Sequence, residues 1–130
     1  MPNKFEIIKQ FIHEMGISIV HENIEEELVV VEDEENGIKN LVIDCEEPIL
    51  VIEQVIMKSP SDTNIFYKRL LQMNRNLVHG AFVLDEAAQF VHFKDTLQLK
   101  NIDRNELEGS IHALSLALSE YGAELIEFAK

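Results

Sequence analysis

The sequence has few of the residues that mark disulfide-bonded or membrane-spanning proteins. Its 130 residues include a single cysteine, Cys45, so no disulfide can form within the chain. No apolar run approaches the ~20 residues that a membrane span requires. Charged residues also interrupt the first sixteen positions, where a signal peptide would need an uninterrupted apolar core. We therefore expect a protein of the reducing cytoplasm that does not enter a membrane.

Basic residues are also scarce. The chain has 11 lysines and arginines against 24 aspartates and glutamates, a formal net charge of −13 at pH 7. Most of the imbalance lies in residues 1–60, which contain 4 basic and 14 acidic residues. Such a surface repels phosphate groups, so nucleic acids and anionic membranes are poor partners. A basic protein partner, or simply solubility, is favoured.

Residue patterns typical of catalysis, cofactor binding and metal binding are missing. The five glycines stand singly, without the spacing of a dinucleotide or phosphate loop. No serine lies in a G-x-S-x-G frame, and the acidic neighbours of Cys45 disfavour its thiolate. The five histidines lack the H-x-x-x-H and H-E-x-x-H spacings of zinc ligands. We predict no catalytic residue, no cofactor and no metal site.

The densest group of charges is the acidic run Glu22–Glu35, in which 8 of 14 residues are acidic and none is basic. The run does not reproduce the spacing of a calcium-binding loop. We interpret it as a solvated flank of the neighbouring strands, which discourages edge-to-edge aggregation. A docking patch for a basic partner is the alternative.

The residues that are present have the composition of one globular domain spanning residues 1–130, with 46% hydrophobic and 27% charged residues. Helix one is predicted to begin after Asn3, a capping residue with Glu6 three positions later, and to stop at Gly16. Its apolar positions recur at helical spacing and are Phe5, Ile8, Ile12 and Met15. This spacing predicts one helix face packed against a core.

Runs of β-branched residues dominate the segment between Gly16 and Pro60. They predict strands at Leu28–Val31, Ile38–Ile43 and Ile49–Met57. Ile17–Val20 is either a short entry strand or a loop. Asn36-Gly37 favours a tight hairpin turn between the second and third runs. We therefore expect an antiparallel meander.

The second half of the sequence predicts two helices separated by two strands. Pro60–Thr63 marks the start of helix two, whose apolar residues are Phe66, Leu70, Met73 and Leu77. Strands follow at Ala81–Leu84 and Phe90–Leu97, and the last helix begins at a capping box formed by Asp103 and Glu106. The predicted order is α-β-β-β-α-β-β-α. This order is typical of the α+β class, with an antiparallel sheet packed against helices.

Three stretches of the second half resemble a known family. They are Leu-Leu-Gln-Met-Asn at 70–74, Gly-Ala-Phe-Val-Leu-Asp at 80–85 and Val-His-Phe-Lys-Asp-Thr-Leu-Gln-Leu at 91–99, followed by a capped helix. Together with the element order, they resemble the class I type III secretion chaperones and the related YbjN-like domains.

The resemblance implies a small, acidic, cytoplasmic homodimer that binds an extended segment of a partner protein and has no catalytic residue. It also implies that helix two contributes to the dimer interface, through Phe66, Leu70 and Met73. The two branches of the resemblance leave two functions open. One is a chaperone of a protein client, and the other is a YbjN-like regulatory or sensory-transduction module with no secretion role.

The apolar runs Leu28–Val31 and Ile49–Ile52 point side chains to both faces of a sheet, whereas the helices of one chain cover a single face. A second copy or a bound polypeptide would cover the other face; the alternative is that the short helices and loops of one chain suffice. The residues predicted to contact a partner are Ile7 and Phe11 of helix one and Ile49, Val51 and Val55 of the strand before helix two. A ligand pocket between helix and sheet is a third possibility, from a different functional class.

Overall fold

A computed structural model describes residues 3–130 as three helices and six strands. In chain order the elements are α1 (Lys4–Glu14), β1 (Ser18–Asn23), β2 (Leu28–Asp33), β3 (Ile38–Glu46), β4 (Ile49–Lys58), α2 (Asn64–Arg75), β5 (Ala81–Leu84), β6 (Phe90–Gln98) and α3 (Arg104–Ala129). The strands form one antiparallel sheet in the order β1-β2-β3-β4-β6-β5. The predicted α+β class is confirmed.

The structure has four strands before α2, one more than the predicted order. Ser18–Asn23 is a full strand because it pairs with β2 along its length, from Ser18 opposite Glu32 to Asn23 opposite Leu28. The connection from β2 to β3 is also longer than a two-residue turn. A short 3₁₀ helix, Glu34–Asn36, precedes Gly37, which has the left-handed φ of 76° that the Asn-Gly pattern indicates.

The predicted helix starts are confirmed by their caps. The Asn3 side-chain oxygen accepts a hydrogen bond from the Glu6 backbone N–H at 2.9 Å, and Asp103 accepts one from the Glu106 N–H at 2.8 Å. Each cap satisfies a backbone donor that the first turn of a helix leaves free. Both helices are therefore positioned at their N-termini by local sequence.

All three helices pack on the same face of the sheet, which we call the inner face. Alternate strand residues point into this core: Val29, Val31, Leu41, Ile43, Leu50, Ile52, Phe82, Val91 and Phe93. Ser110 of α3 donates a 2.7 Å hydrogen bond to Asp95, which lies opposite Ile52 on this face. Helices α2 and α3 contact each other where the Phe66 and Phe128 rings pack edge to face, with centroids 5.1 Å apart.

The apolar face of α2 belongs to this core, which corrects one sequence interpretation. Phe66, Leu70 and Met73 were predicted to form a dimer interface, but each is buried within the single chain. Helical spacing identifies which side chains share a face, and it is the same for a core face as for an interface. A dimer prediction for α2 must therefore rest on its opposite, exposed face.

The 26-residue α3 is the longest helix. Within residues 3–130, no helix combines the length and the apolar content needed to cross a membrane.

Candidate partner-binding surface

The opposite face of the sheet, which we call the outer face, carries no helix. On β2, β3 and β4 its side chains are Leu28, Val30, Val42, Asp44, Glu46, Ile49, Val51, Glu53 and Val55. The pairing register sets them in rows across the strands, because directly opposite residues point to the same face. One row runs from Leu28 to Asp44 and Val51, and the next from Val30 to Val42 and Glu53.

Most side chains of the outer face are apolar and only partly shielded from water. Leu28, Val30, Val42, Ile49 and Val51 are half-buried, and Val55 is 54% exposed. Removing apolar area from water contributes roughly 25 cal/mol per Å². We call these six side chains the apolar strip. Covering the strip with a partner would contribute binding free energy from each of them.

Asp44 lies in the middle of the apolar strip, between Leu28 and Val51 in neighbouring strands. Its Oδ1 atom is buried, and no group of residues 3–130 donates a hydrogen bond to it. Burial raises the pKa of Asp44 to about 6, and the adjacent Glu46 carboxyl and the charge of Glu26 raise it further. A buried acceptor without a donor costs free energy, so this position favours a donor from outside the chain.

Further carboxylates lie near Asp44, at the end of the sheet where the β1–β2 and β3–β4 turns are side by side. We call this the acidic end of the sheet. The six acidic residues of this end are Glu25, Glu26, Glu27, Asp44, Glu46 and Glu47. In the part of the chain that the structure describes, none of them has a Lys, Arg or His nitrogen within 4.0 Å. The outer face thus combines an apolar strip with an unneutralised acidic end.

We expect Asp44→Asn to stabilise the free protein at neutral pH. The folded-state pKa of about 6 lies above the ordinary value of 3.8, so folding disfavours the ionised carboxylate and stability is lost as pH rises from about 4 through about 6. Asparagine carries no charge, so the variant does not lose stability in this way as the pH rises. Thermal melts of both proteins should show a gain in Tm at about pH 7.5 that shrinks at about pH 5. A gain that is the same at both pH values would contradict this explanation.

The two edges of the sheet differ in accessibility. At the β5 edge, the Asn74 side chain of α2 donates to the Phe82 carbonyl at 3.1 Å and accepts from its N–H at 2.8 Å. These bonds occupy the backbone groups that a further strand would use. At the other edge, β1 is exposed along its length and bulges at Val20.

Sequence comparison identifies the family to which this arrangement belongs. The sequence profile of the CesT_Tir_1 family matches residues 1–130. The chain belongs to the CesT_Tir_1 family. A comparison with curated protein sequences finds no match.

Solved structures with the same fold include YbjN and two chaperones. Escherichia coli YbjN, described as a putative transcription regulator, is similar at a TM-score of 0.74 and 15% identity, covering 95% of this chain and 94% of that chain. The Yersinia pestis type III secretion chaperone SycH, in complex with a stable fragment of YscM2, gives 0.64 and 15%, covering 90% and 98%. The HopA1–SchA chaperone–effector complex gives 0.62 and 14%, covering 85% and 86%. At these identities the likeness establishes the fold.

The structure divides the five predicted partner contacts of this CesT_Tir_1 protein between two layers. Ile49, Val51 and Val55 lie on the outer face. Ile7 and Phe11 are half-buried on α1, which packs on the inner face, and Phe11 contacts the core. The five residues therefore do not form one surface.

The sequence interpretation did not name Leu28, Val30, Val42 and Asp44, which complete the outer face. The run Leu28–Val31 already signalled side chains on both faces. Only the pairing register of the strands shows which of these side chains lie on the same face as Val51.

The positions of Cys45 and of the His, Asp and Glu side chains do not favour thiol chemistry or metal binding. Cys45 is buried on the inner face, where burial, together with the charges of Glu27, Asp44 and Glu47, raises its thiol pKa to about 12. Over residues 3–130, no three His, Cys, Asp or Glu side chains are grouped to hold a metal ion. A cleft of about 500 Å³ lies between the end of α1, the β2–β3 turn and α3, with Ile38, Ile111 and His112 in its wall.

Proposed function

We propose that this CesT_Tir_1 family member is a non-enzymatic, cytoplasmic protein-binding module whose outer face binds an extended segment of a partner protein. The observation that carries the proposal is the uncovered apolar strip, since all three helices lie on the inner face. SycH and the SchA complex, which share the fold, were each solved with a bound protein or fragment. Their example supports a protein partner for this chain.

The shape of the strip favours an extended segment. Its apolar residues lie on three adjacent strands, β2, β3 and β4, which at ~4.8 Å spacing span only about 10 Å. An extended chain is of similar width and presents every second side chain to one side. Such a segment could cover the strip along the strands and reach the free β1 edge, where main-chain hydrogen bonds are available.

The binding face can be tested by removing its apolar side chains without adding charge. We expect the double variant Val51→Ser, Val55→Ser to lose at least about tenfold in affinity for the natural partner, since two apolar contacts are removed. The partner is first captured from cells with the tagged wild-type protein and identified by mass spectrometry. Its affinity for each purified variant is then measured by calorimetry.

Leu116→Ser is the matched control, because Leu116 is an apolar residue of α3 that is 56% exposed on the helix layer. It should bind as the wild type does. Equal affinities for the double variant and the control would place the partner elsewhere on the molecule.

We also propose that the protein forms a homodimer through the exposed side of α2 and the neighbouring β5. Leu71, 72% exposed, and Leu84 line a groove of about 280 Å³ between these elements, together with Tyr67 and Asn74. Exposed apolar side chains grouped in this way are typical of protein contacts. Because Asn74 already bonds the β5 backbone at Phe82, the dimer contact would be made by side chains and not by strand pairing.

A YbjN-like regulatory or sensory module with no secretion role is the alternative function. It is favoured by the TM-score of the YbjN superposition and by the share of this chain that it covers, which exceed those of the SycH and SchA structures. The identity of the captured partner separates the two. An exported protein bound through a single segment supports the chaperone, whereas a resident signalling protein supports the regulatory module.

A further inference from the structure

We propose that the segment bound by the outer face is basic as well as apolar, and that a lysine or arginine of the partner pairs with Asp44 and Glu46. This inference rests on the proposed function and adds the chemistry of the partner. An acidic or neutral apolar segment would leave the carboxylates of the outer face buried without a counter-charge, at a cost in free energy.

The acidic end argues against a second copy of this chain as the occupant. Each copy has a formal net charge of −13 and brings the same six carboxylates to this end of its sheet. Two such faces in contact with their acidic ends together would bury like charges against each other. The charge of the face is complementary to a segment with lysine or arginine side chains.

The geometry around Asp44 suits one cationic side chain. Asp44 and Glu46 are two residues apart on β3, so both side chains lie on the outer face, with their Cα atoms about 7 Å apart along the strand. Their carboxyl groups are close enough for Glu46 to raise the pKa of Asp44. Leu28 and Val51 flank Asp44 from both neighbouring strands and limit its access to water. A cation at this position would donate to the buried Oδ1 of Asp44, the acceptor that lacks a donor within residues 3–130.

Apolar residues at every second position, with one basic residue in the same series, fit the register of the face. In an extended segment the side chains at positions i and i+2 point to the same side. Apolar side chains on that side would lie on the strip, and a basic one among them would reach the acidic end. The other charged or titratable groups near the strip are Glu32 on β2, His21 on β1, opposite Val30, Glu53 on β4, paired with His92 at 2.9 Å, and Lys94 on β6, opposite Glu53. All of them lie at least one row away from Asp44, so the carboxyl groups of Asp44 and Glu46 dominate the field at this position.

Three short synthetic peptides of equal length test the inference with the full-length protein. In the first, every second residue is serine and the positions between are two valines followed by one arginine; in the second, glutamate replaces the arginine; in the third, serine replaces both valines. Fluorescence anisotropy measures their affinities at fixed ionic strength. We expect binding of the valine-arginine peptide, and affinities at least about tenfold weaker for the other two.

Two single-charge variants identify the site of the cation. Asp44→Asn should weaken the valine-arginine peptide about tenfold or more. Glu120→Gln removes the same charge from an exposed position of α3 and should change the affinity less than about twofold. Lowering the pH from about 7.5 to about 5 should weaken binding to the wild type more than to Asp44→Asn, since Asp44 gains a proton in this range.

The possible failures are distinguishable. Equal binding of the two valine peptides would overturn the charge inference and leave the outer face as an apolar binding site. Equal losses in Asp44→Asn and Glu120→Gln would show that only the overall charge attracts the peptide, and would also overturn the inference. If no peptide binds and Val51→Ser, Val55→Ser keeps the natural partner, both this inference and the proposed binding face are wrong.

Discussion

Leu70→Asp is expected to unfold the protein, whereas Leu71→Asp, one position further along α2, is expected to leave the fold intact and yield a monomer. Leu70 is 5% exposed and packs in the core, while Leu71 is 72% exposed. A carboxylate at position 70 would lose the burial of leucine and lie unpaired in an apolar interior. The combined cost is at least about 4 kcal/mol, a large share of the roughly 5–15 kcal/mol that holds a domain folded.

Thermal melts by circular dichroism and mass determination by light scattering separate the two outcomes. Leu71→Asp should keep the wild-type spectrum and melting temperature and halve the mass, because two copies would place carboxylates near one another at the proposed contact. Leu71→Ser serves as a milder version that removes the apolar contact without charge. A folded Leu71→Asp protein with the dimer mass would move the interface away from α2 and β5.

Gly80→Ala is expected to be the most destabilising single-methyl change in the chain. Gly80 has a φ of 75°, a conformation that costs roughly 1–2 kcal/mol for a residue with a Cβ. A Cβ at this position would also lie 3.0 Å or closer to three carbons of the Phe93 ring. Because Phe93 is fully buried in the core, its ring has little room to move, and overpacking adds about 1–3 kcal/mol.

Gly16→Ala is the matched control, since Gly16 has nearly the same φ, 74°, with no atom within 4 Å of the position a Cβ would take. Chemical denaturation should give the backbone cost alone for Gly16→Ala, and that cost plus the ring overlap for Gly80→Ala. The difference between the two variants is expected to be about 1–3 kcal/mol. Equal losses of unfolding free energy in the two variants would mean that the residues around β5 and β6 accommodate the methyl group without a cost.

Much of the fold could be predicted from local sequence. The caps at Asn3 and Asp103 and the left-handed φ of Gly37 depend on residues within a few positions of one another, and each is confirmed, although the connection at Gly37 is longer than the predicted tight turn. The segment Ile17–Val20 is compatible with either a short strand or a loop by its sequence, whereas the structure forms the strand Ser18–Asn23 there. It is a strand because β2 offers it a hydrogen-bonding partner, which is a property of the pair and not of the segment.

The candidate site was only partly predictable. Apolar runs on β2 and β4 correctly indicated a sheet with side chains on both faces, and Val51 and Val55 lie on the uncovered one. The resemblance implied a dimer contact through Phe66, Leu70 and Met73 of α2, but these side chains fill the core of the single chain. Asp44 was passed over, since a carboxylate in an acidic sequence has no distinguishing neighbour until the strands are paired.

The sequence by itself determined the element types, the α+β class, the acidic charge and the presence of apolar side chains on both faces of the sheet. These follow from composition and from the periods of helix and strand, which are local. The tertiary structure decided which face is covered, which leucine of α2 is exposed, and that Asp44 lies between Leu28 and Val51. Those outcomes depend on strand register and helix placement, which bring together residues far apart in the chain.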